Sequence, residues 1–170
     1  FDMNFLSRVR PIFGHRSYST FLDNINKMKI DRKKLNISPE ILNIDQVNEL
    51  CEILSKKKVY KHSDLFLDLF KNRISPGVDD TSKVKASFLN NICKDVMYSP
   101  YINKEEAVKI LGTMQGGYNI KPLIDMLSDK KLGKLAAKKL SNLILIFDYY
   151  YDIERLYLDG NKNAKTVIES

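Results

Sequence analysis

The sequence has few of the residues on which disulfide-bonded, metal-binding or turn-rich proteins depend. Its 170 residues include two cysteines, two histidines, seven glycines, five prolines and no tryptophan. Cys51 and Cys93 are too far apart for a CxxC metal motif and too few for a secreted disulfide framework. Each lies in an apolar stretch, so we interpret both as small core residues without a redox role. His15 and His62 have no second ligand at metal-binding spacing, and we predict no metal or cofactor site.

Long hydrophobic runs are absent as well. The longest covers residues 143–147, far below the roughly 20 apolar residues that a membrane-crossing helix needs. We therefore predict no transmembrane segment, although a peripheral contact with a membrane-bound complex stays open. A hydrophobic content of 44% with few glycines and prolines favours one helical domain over a disordered chain or a turn-rich β protein.

Acidic residues are missing from residues 3–22, where Arg8, Arg10 and Arg16 are spread among apolar and hydroxyl side chains. This composition is typical of a mitochondrial presequence. We therefore interpret residues 1–34 as a presequence-like basic extension and linker, and we expect a mitochondrial protein on the matrix side. The alternative is a basic arm or docking extension that the mature protein keeps.

The chain carries a formal net charge of +7, which favours contact with polyanions such as RNA or an acidic membrane surface. Many of its lysines, however, stand in pairs at predicted helix ends, as in Lys130-Lys131 and Lys138-Lys139. Cations there complement the carbonyl ends of helices and keep the surface soluble. We prefer this interpretation as a solvated surface, and RNA contact through the basic surface is the alternative.

From residue 35 to residue 170 apolar residues recur at helical spacing, and no strand pattern of period two is found. Short polar turns separate the apolar stretches, so neighbouring helices are expected to pack antiparallel as αα-hairpins. The sequence therefore predicts an all-α, HEAT-like stack in one domain. The predicted elements are a helix capped by Asp45, a helix from Ser63, helices over about residues 79–96, 103–111, 120–127 and 131–150, and two short closing helices.

A glycine-rich stretch joins two of these predicted helices. Gly112, Gly116 and Gly117 stand within six residues, and adjacent glycines permit left-handed or closely approached backbone. A phosphate-binding loop is the alternative interpretation, because glycine-rich turns can hold anions. The stretch fits neither of the two common phosphate-loop frames, so we predict a tight turn between helices.

Tyrosine is the residue type that best indicates a binding face. Tyr149, Tyr150, Tyr151 and Tyr157 fall on successive sides of adjacent helices, so they cannot all be buried in one core. Tyrosine is favoured in interfaces for its large amphipathic area. A protein interface at these residues is our prediction, and ordinary packing is the alternative.

Three blocks of the sequence, residues 66–79, 84–89 and above all 111–120, occur in the order found in a known family. With their continuation to residue 170, they resemble the N-terminal domain of aconitate hydratase B. That resemblance implies a HEAT-like helical stack that takes part in self-association and shapes access to a distant active site, in an enzyme family with reported messenger-RNA binding. The family-motif turn comprises Gly112, Gln115, Gly116, Gly117, Tyr118 and Asn119.

The resemblance also implies what this polypeptide does not do. An aconitase needs three thiolates for its iron–sulfur cluster, whereas this sequence has two cysteines, both inside the helical module. We therefore expect no enzymatic activity and no cofactor. The predicted function is a non-catalytic protein-interaction module, an accessory subunit of a respiratory-chain complex, an ATP synthase complex or a mitochondrial ribosome. The alternative is a split or excised aconitase B domain that mediates dimerisation or regulation of an aconitase, or that binds RNA.

Overall fold

The computed structural model describes residues 18–57 and 60–170, and all regular structure within them is helical. The predicted all-α fold is confirmed. The presequence-like residues up to Ser17 lie outside the described part of the chain. The described α-helices are α1 (Tyr18–Lys34), α2 (Ile44–Ser55), α3 (Ser63–Asn72), α4 (Asp80–Cys93), α5 (Lys104–Leu111), α6 (Ile120–Asp125), α7 (Gly133–Leu140), α8 (Tyr150–Leu158) and α9 (Lys162–Ile168), with a 3-10 helix at Phe147–Tyr149.

The chain divides into two compact units, residues 1–40 and 41–170. In the first unit, α1 extends to Lys34, the end of the region predicted as an extension and linker, and it ends on three basic residues. Cations in a last turn complement the helix dipole. After α1, Arg32 Nε donates a hydrogen bond of 2.6 Å to the Ser38 carbonyl, and its guanidinium lies 3.4 Å from Glu40.

Short polar side chains start the helices of the second unit. Asn43 and Gln46 form a reciprocal capping box at the start of α2, so the predicted cap at Asp45 is wrong, and Asp45 lies in the first turn. Asn103, where a helix was predicted to begin, caps α5 by accepting a 2.8 Å hydrogen bond from the Glu106 N–H. Asp79 caps α4 in the same way through the Ser82 N–H at 2.9 Å.

The second unit is built by helices that pack in near-sequential order. Helix α2 packs on α3 and α4, α4 on α5, α5 on α6 and α7, and α9 on both α7 and α8. At its centre the Phe70 and Phe88 rings meet edge to face with centroids 5.4 Å apart. Of the helices in the described part of the chain, none combines the length and apolar character needed to cross a bilayer.

The long helix predicted over residues 131–150 is wrong. Helix α7 ends at Leu140, a loop follows, and a 3-10 turn leads into α8. Ser141 Oγ donates to the Ala137 carbonyl at 3.0 Å and Asn142 Nδ2 to the Lys138 carbonyl at 2.7 Å. Such side chains compete with the backbone for helical carbonyls, which ends the helix here.

The helix predicted to reach Val96 also ends early, at Cys93. Asp95 adopts a left-handed conformation with φ of +58°. The N–H groups of Val96 and Met97 both turn back to the Asn91 carbonyl, which closes the helix with bonds typical of a C-terminal cap. Val96 therefore leaves the apolar stripe and lies exposed.

Candidate functional site

Two turns that are 34 or more positions apart in sequence dock on each other. The turn at residues 75–78 follows α3, and the family-motif turn at residues 112–119 follows α5. The Gln115 N–H donates to the Pro76 carbonyl at 2.9 Å, and Tyr118 Oη donates to the Val78 carbonyl at 3.1 Å. The first bond joins backbone groups of both turns, and the second joins a tyrosine hydroxyl to a backbone carbonyl. The backbone bond requires the two turns to approach each other closely.

Gly116 makes that approach feasible. A Cβ atom built on Gly116 would overlap the carbonyl group of Gly77, far inside any real contact distance. Its neighbour Gly117 has a different requirement, since its φ is +89° and the space around it is open. The two adjacent glycines therefore serve one close approach and one left-handed turn.

Asn119 closes the family-motif turn from inside. Its side chain is 1% exposed, and Nδ2 donates to the Leu111 carbonyl at 2.8 Å and the Met114 carbonyl at 3.0 Å. Both carbonyls lie at the end of α5 or just beyond it, where backbone acceptors lack helical partners. Asn119 thus satisfies two buried acceptors and holds the turn in one conformation.

The family-motif turn forms one wall of a groove of about 510 Å³. Residues 112–115, 117, 119 and 120 line one side, and loop residues 142–145 line the other. On the Gly112 wall the Lys139 side chain lies close, with its Cγ 2.6 Å from where a Cβ of Gly112 would be. The lining residues carry apolar, hydroxyl and amide groups and no charge.

The loop that lines the groove continues into an exposed apolar segment, which we define as residues 144–158 and whose first two residues also line the groove. Ile144 is 84% exposed, Phe147 78%, Tyr151 80% and Leu158 76%. Leu145, Tyr150 and Tyr157 are exposed too. Exposed apolar side chains that accumulate in one place mark an interaction site more often than isolated ones do.

The structure puts three of the four predicted interface tyrosines on the surface and leaves Tyr149 partly buried. Tyr150 and Tyr151 meet edge to face with ring centroids 6.0 Å apart. Ile144 and Phe147 were not predicted as interface residues, because both fit the apolar spacing of the helix predicted over residues 131–150, whereas α7 ends at Leu140. The signal that could have found them is the Ser141-Asn142 pair, which ends α7.

Reactive groups are few in the described residues. Burial raises the pKa of the Cys93 thiol to about 11 and raises that of Cys51 further, so neither is poised as a nucleophile. Cys93 is buried as predicted. Cys51 keeps part of its surface exposed, although the surrounding protein desolvates its thiol. No three His, Cys, Asp or Glu side chains of residues 18–57 and 60–170 lie together as a metal site would require.

Lys85 is a buried cation that the sequence did not single out. Its side chain is 2% exposed, and Nζ donates to the Lys71 carbonyl at 3.1 Å and lies 5.5 Å from the centre of the Phe70 ring. Burial lowers the pKa of its ammonium group to about 8. Its neighbours there are a backbone carbonyl and an aromatic ring, which indicates a structural role.

Comparison with known proteins gives one consistent result. The family model described as the aconitate B N-terminal domain matches residues 24–170. Aconitate hydratase B of Escherichia coli (strain K12) is 44% identical over 149 residues, which are 88% of this chain and 17% of that protein. The corresponding protein of Pseudomonas aeruginosa is 40% identical with the same coverage, and that of Helicobacter pylori J99 is 38% identical over 152 residues.

These relatives correct the predicted location. They are bacterial proteins, so the assignment to mitochondria, made from the arginine-rich and acid-poor start of the chain, is wrong. That composition is shared by basic arms of other kinds, and the segment itself lies outside the described residues. The chain spans about a sixth of the length of the curated relatives that it matches.

Proposed function

Because this chain belongs to the family of aconitate B N-terminal domains, we propose that it is a non-catalytic interaction module that docks onto the catalytic portion of an aconitate hydratase. The observation that carries the proposal is the exposed apolar segment, residues 144–158. A domain with a complete core has no internal use for these side chains. Their burial against a partner would supply the usual driving force for association.

The chain's own residues do not fit an iron–sulfur cluster. The two cysteines stand on different helices, α2 and α4, and burial raises the pKa of both thiols, whereas cluster ligands are thiolates. The chemistry of citrate and aconitate would therefore come from the partner. This module would contribute binding and positioning.

Aromatic side chains carry the docking in this proposal. Tyr151 and Phe147 are large, exposed and close in sequence, and such residues supply most of the binding energy in typical interfaces. Asp148 and Asp152 alternate with them, which keeps the uncombined surface soluble and provides a polar rim around the apolar contact. The segment thus has the composition of an interface that is covered in an assembly.

The experiment is a binding titration between this chain and the catalytic portion of Escherichia coli aconitate hydratase B purified without its own N-terminal domain. We expect a complex by analytical ultracentrifugation, and we expect the double variant Phe147→Ser, Tyr151→Ser to bind at least about tenfold more weakly. Tyr98→Ser is the matched control, because Tyr98 is also exposed but lies between α4 and α5. Equal binding by all three proteins, or by none, would contradict the proposal.

A further inference from the structure

We propose that the C-terminal end of α1, together with the turn that follows it, docks on the surface of a lipid bilayer that contains anionic phospholipids. The surface combines three exposed aliphatic residues with three lysines, and we define this basic-apolar end as Ile30, Leu35, Ile37, Lys27, Lys33 and Lys34. All six residues lie in the first unit, and none belongs to the groove or to residues 144–158. The inference therefore stands whether or not the module docks on a hydratase.

The aliphatic side chains of the basic-apolar end are open to solvent. Ile30 is 55% exposed, Leu35 69% and Ile37 45%, whereas Phe21 and Ile25 earlier in α1 are buried. Ile30 follows Ile25 by five residues, which is a rotation of about 140° around a helix. Helix α1 therefore buries one side and carries, near its end, an apolar residue that points away from that side.

The turn after α1 is held by backbone hydrogen bonds, so Leu35 and Ile37 have defined places beside the helix end. Asn36, with a left-handed φ of +54°, donates its N–H to the Lys33 carbonyl at 3.1 Å. The Ile37 N–H donates to the Arg32 carbonyl, also at 3.1 Å. These two bonds are the pattern of a Schellman cap. An ordered turn thus presents two more aliphatic side chains next to the last turn of α1.

Three exposed lysines surround Ile30 on the helix surface. Lys27, Lys33 and Lys34 stand three positions before it, three after it and four after it, the spacings at which side chains are neighbours on an α-helix. Lys34 lies 3.7 Å from Asp31, and both side chains are largely exposed, so the pair contributes little. Because a lysine stem can lie along apolar surface while its ammonium reaches outward, these positions suffice to put positive charge around the aliphatic centre.

The composition of this end favours a bilayer over other anionic partners. Residues 22–40 include no aromatic residue, whereas single-stranded RNA stacks its bases on aromatic side chains and protein interfaces take much of their binding energy from tyrosine and tryptophan. Residues 27–34 carry five basic side chains and one acidic one. Exposed aliphatic groups surrounded by lysines suit the headgroup region, where the aliphatic groups enter the acyl boundary and the cations meet anionic lipids.

The first test is co-sedimentation of the full chain with vesicles of phosphatidylcholine alone or with about 30% phosphatidylglycerol, and we expect at least about tenfold stronger binding to the anionic vesicles. The triple variant Lys27→Gln, Lys33→Gln, Lys34→Gln should lose at least about tenfold of that affinity. The matched control makes the same change at three exposed lysines of the second unit, Lys130, Lys131 and Lys134. Absence of binding to anionic vesicles, or an equal loss in both triple variants, overturns the proposal.

A tryptophan reporter tests insertion, because the chain has no tryptophan of its own. The emission of Leu35→Trp should shift to shorter wavelength on anionic vesicles as the ring leaves water, whereas Val78→Trp, similarly exposed in the second unit, should show no shift. Leu35→Ser, Ile37→Ser should weaken vesicle binding while circular dichroism stays unchanged, because both side chains are exposed. Binding without an emission shift at Leu35→Trp would mean adhesion by charge alone, which overturns the proposal.

Two further outcomes would assign the binding elsewhere. If Arg8→Gln, Arg10→Gln, Arg16→Gln abolishes vesicle binding and the triple lysine variant does not weaken it, the start of the chain binds the bilayer and the proposal fails. If a single-stranded RNA oligonucleotide binds through the three lysines and vesicles do not bind, the surface recognises nucleic acid, and the proposal is again wrong.

Discussion

The docked turns at residues 75–78 and 112–119 and the exposed apolar segment at residues 144–158 contrast within one helical unit. In the docked turns, side chains and backbone groups find partners inside the chain, as Asn119 does with two carbonyls. In the exposed segment, Phe147 and Tyr151 are turned to solvent. The contacts of the first region lie within the fold, whereas the second region exposes apolar side chains that the proposed partner would cover.

The difference teaches how to interpret a family motif. The most distinctive stretch of this sequence, around Gly116 and Gly117, is explained by the approach of one backbone to another. Such a stretch can be recognised across relatives without being a binding site. The less distinctive run of isoleucine, leucine and tyrosine after Asn142 is the part that the fold leaves unexplained, and it is therefore the better candidate for function.

The largest effect is predicted for Gly116→Ala, which breaks the docked turns. The added Cβ meets the Gly77 carbonyl, and because backbone must shift, we expect a loss of about 3 kcal/mol in the free energy of unfolding. For a protein of this size the midpoint of thermal unfolding should fall by on the order of 10 °C. Urea and thermal denaturation followed by circular dichroism measure both quantities.

Gly77→Ala is the control for that experiment. A Cβ there would meet nothing closer than Ser75 Oγ at 3.4 Å, an ordinary contact. We expect its unfolding free energy to stay within about 0.5 kcal/mol of the unmodified chain. Equal stability of the two variants would show that the turns are not held by close backbone approach, and the contrast with the exposed segment would lose its basis.

A second prediction tests the exposed segment from within α8. Ile153 is 2% exposed and Tyr151, two residues earlier, is exposed. Ile153→Ala should cost about 3 kcal/mol of unfolding free energy, because it removes buried methyl and methylene groups and leaves a cavity. Tyr151→Ala should cost less than about 0.5 kcal/mol. A costly Tyr151→Ala would mean that the segment contributes to the core, against its proposed role as an interface.

The sequence predicted the helices of both regions better than it predicted the contacts that the regions make. Helical spacing of apolar residues identified the all-α fold, and start signals in the sequence placed a helix from about residue 103, because both kinds of signal are local. The role of Gly116 was not accessible, since it depends on Gly77, 39 positions earlier in the sequence. Sequence predicted a turn there but could not say what the turn contacts.

For the exposed segment, the sequence predicted the wrong secondary structure. Its apolar residues fit a helical stripe well, and the stripe was extended through Ser141 and Asn142 into one long helix. The side chains of these two residues bond to carbonyls four positions earlier and end α7. A periodic pattern records which residues are apolar, but it cannot tell whether they face this chain's core or another molecule.

The third and smallest prediction concerns Lys85, a charged residue buried among the packed helices. Lys85→Met keeps an unbranched side chain only one atom shorter and removes the buried charge. We expect a gain of about 2 kcal/mol in unfolding free energy at pH 7, since the desolvation cost outweighs the lost bond to the Lys71 carbonyl. Urea denaturation at pH 7 measures the gain.

The pH dependence of that gain separates charge from packing. Burial lowers the pKa of Lys85 to about 8 in the folded chain, from a usual value of 10.5. Between these two values the unfolded chain binds more protons, so this lysine makes the unmodified protein more stable as pH rises through that window. The advantage of Lys85→Met should therefore shrink above pH 8, whereas the exposed control Lys134→Met should show no such change. An advantage that stays constant between about pH 8 and the usual lysine value of 10.5 would assign the gain to packing and leave Lys85 without an electrostatic cost.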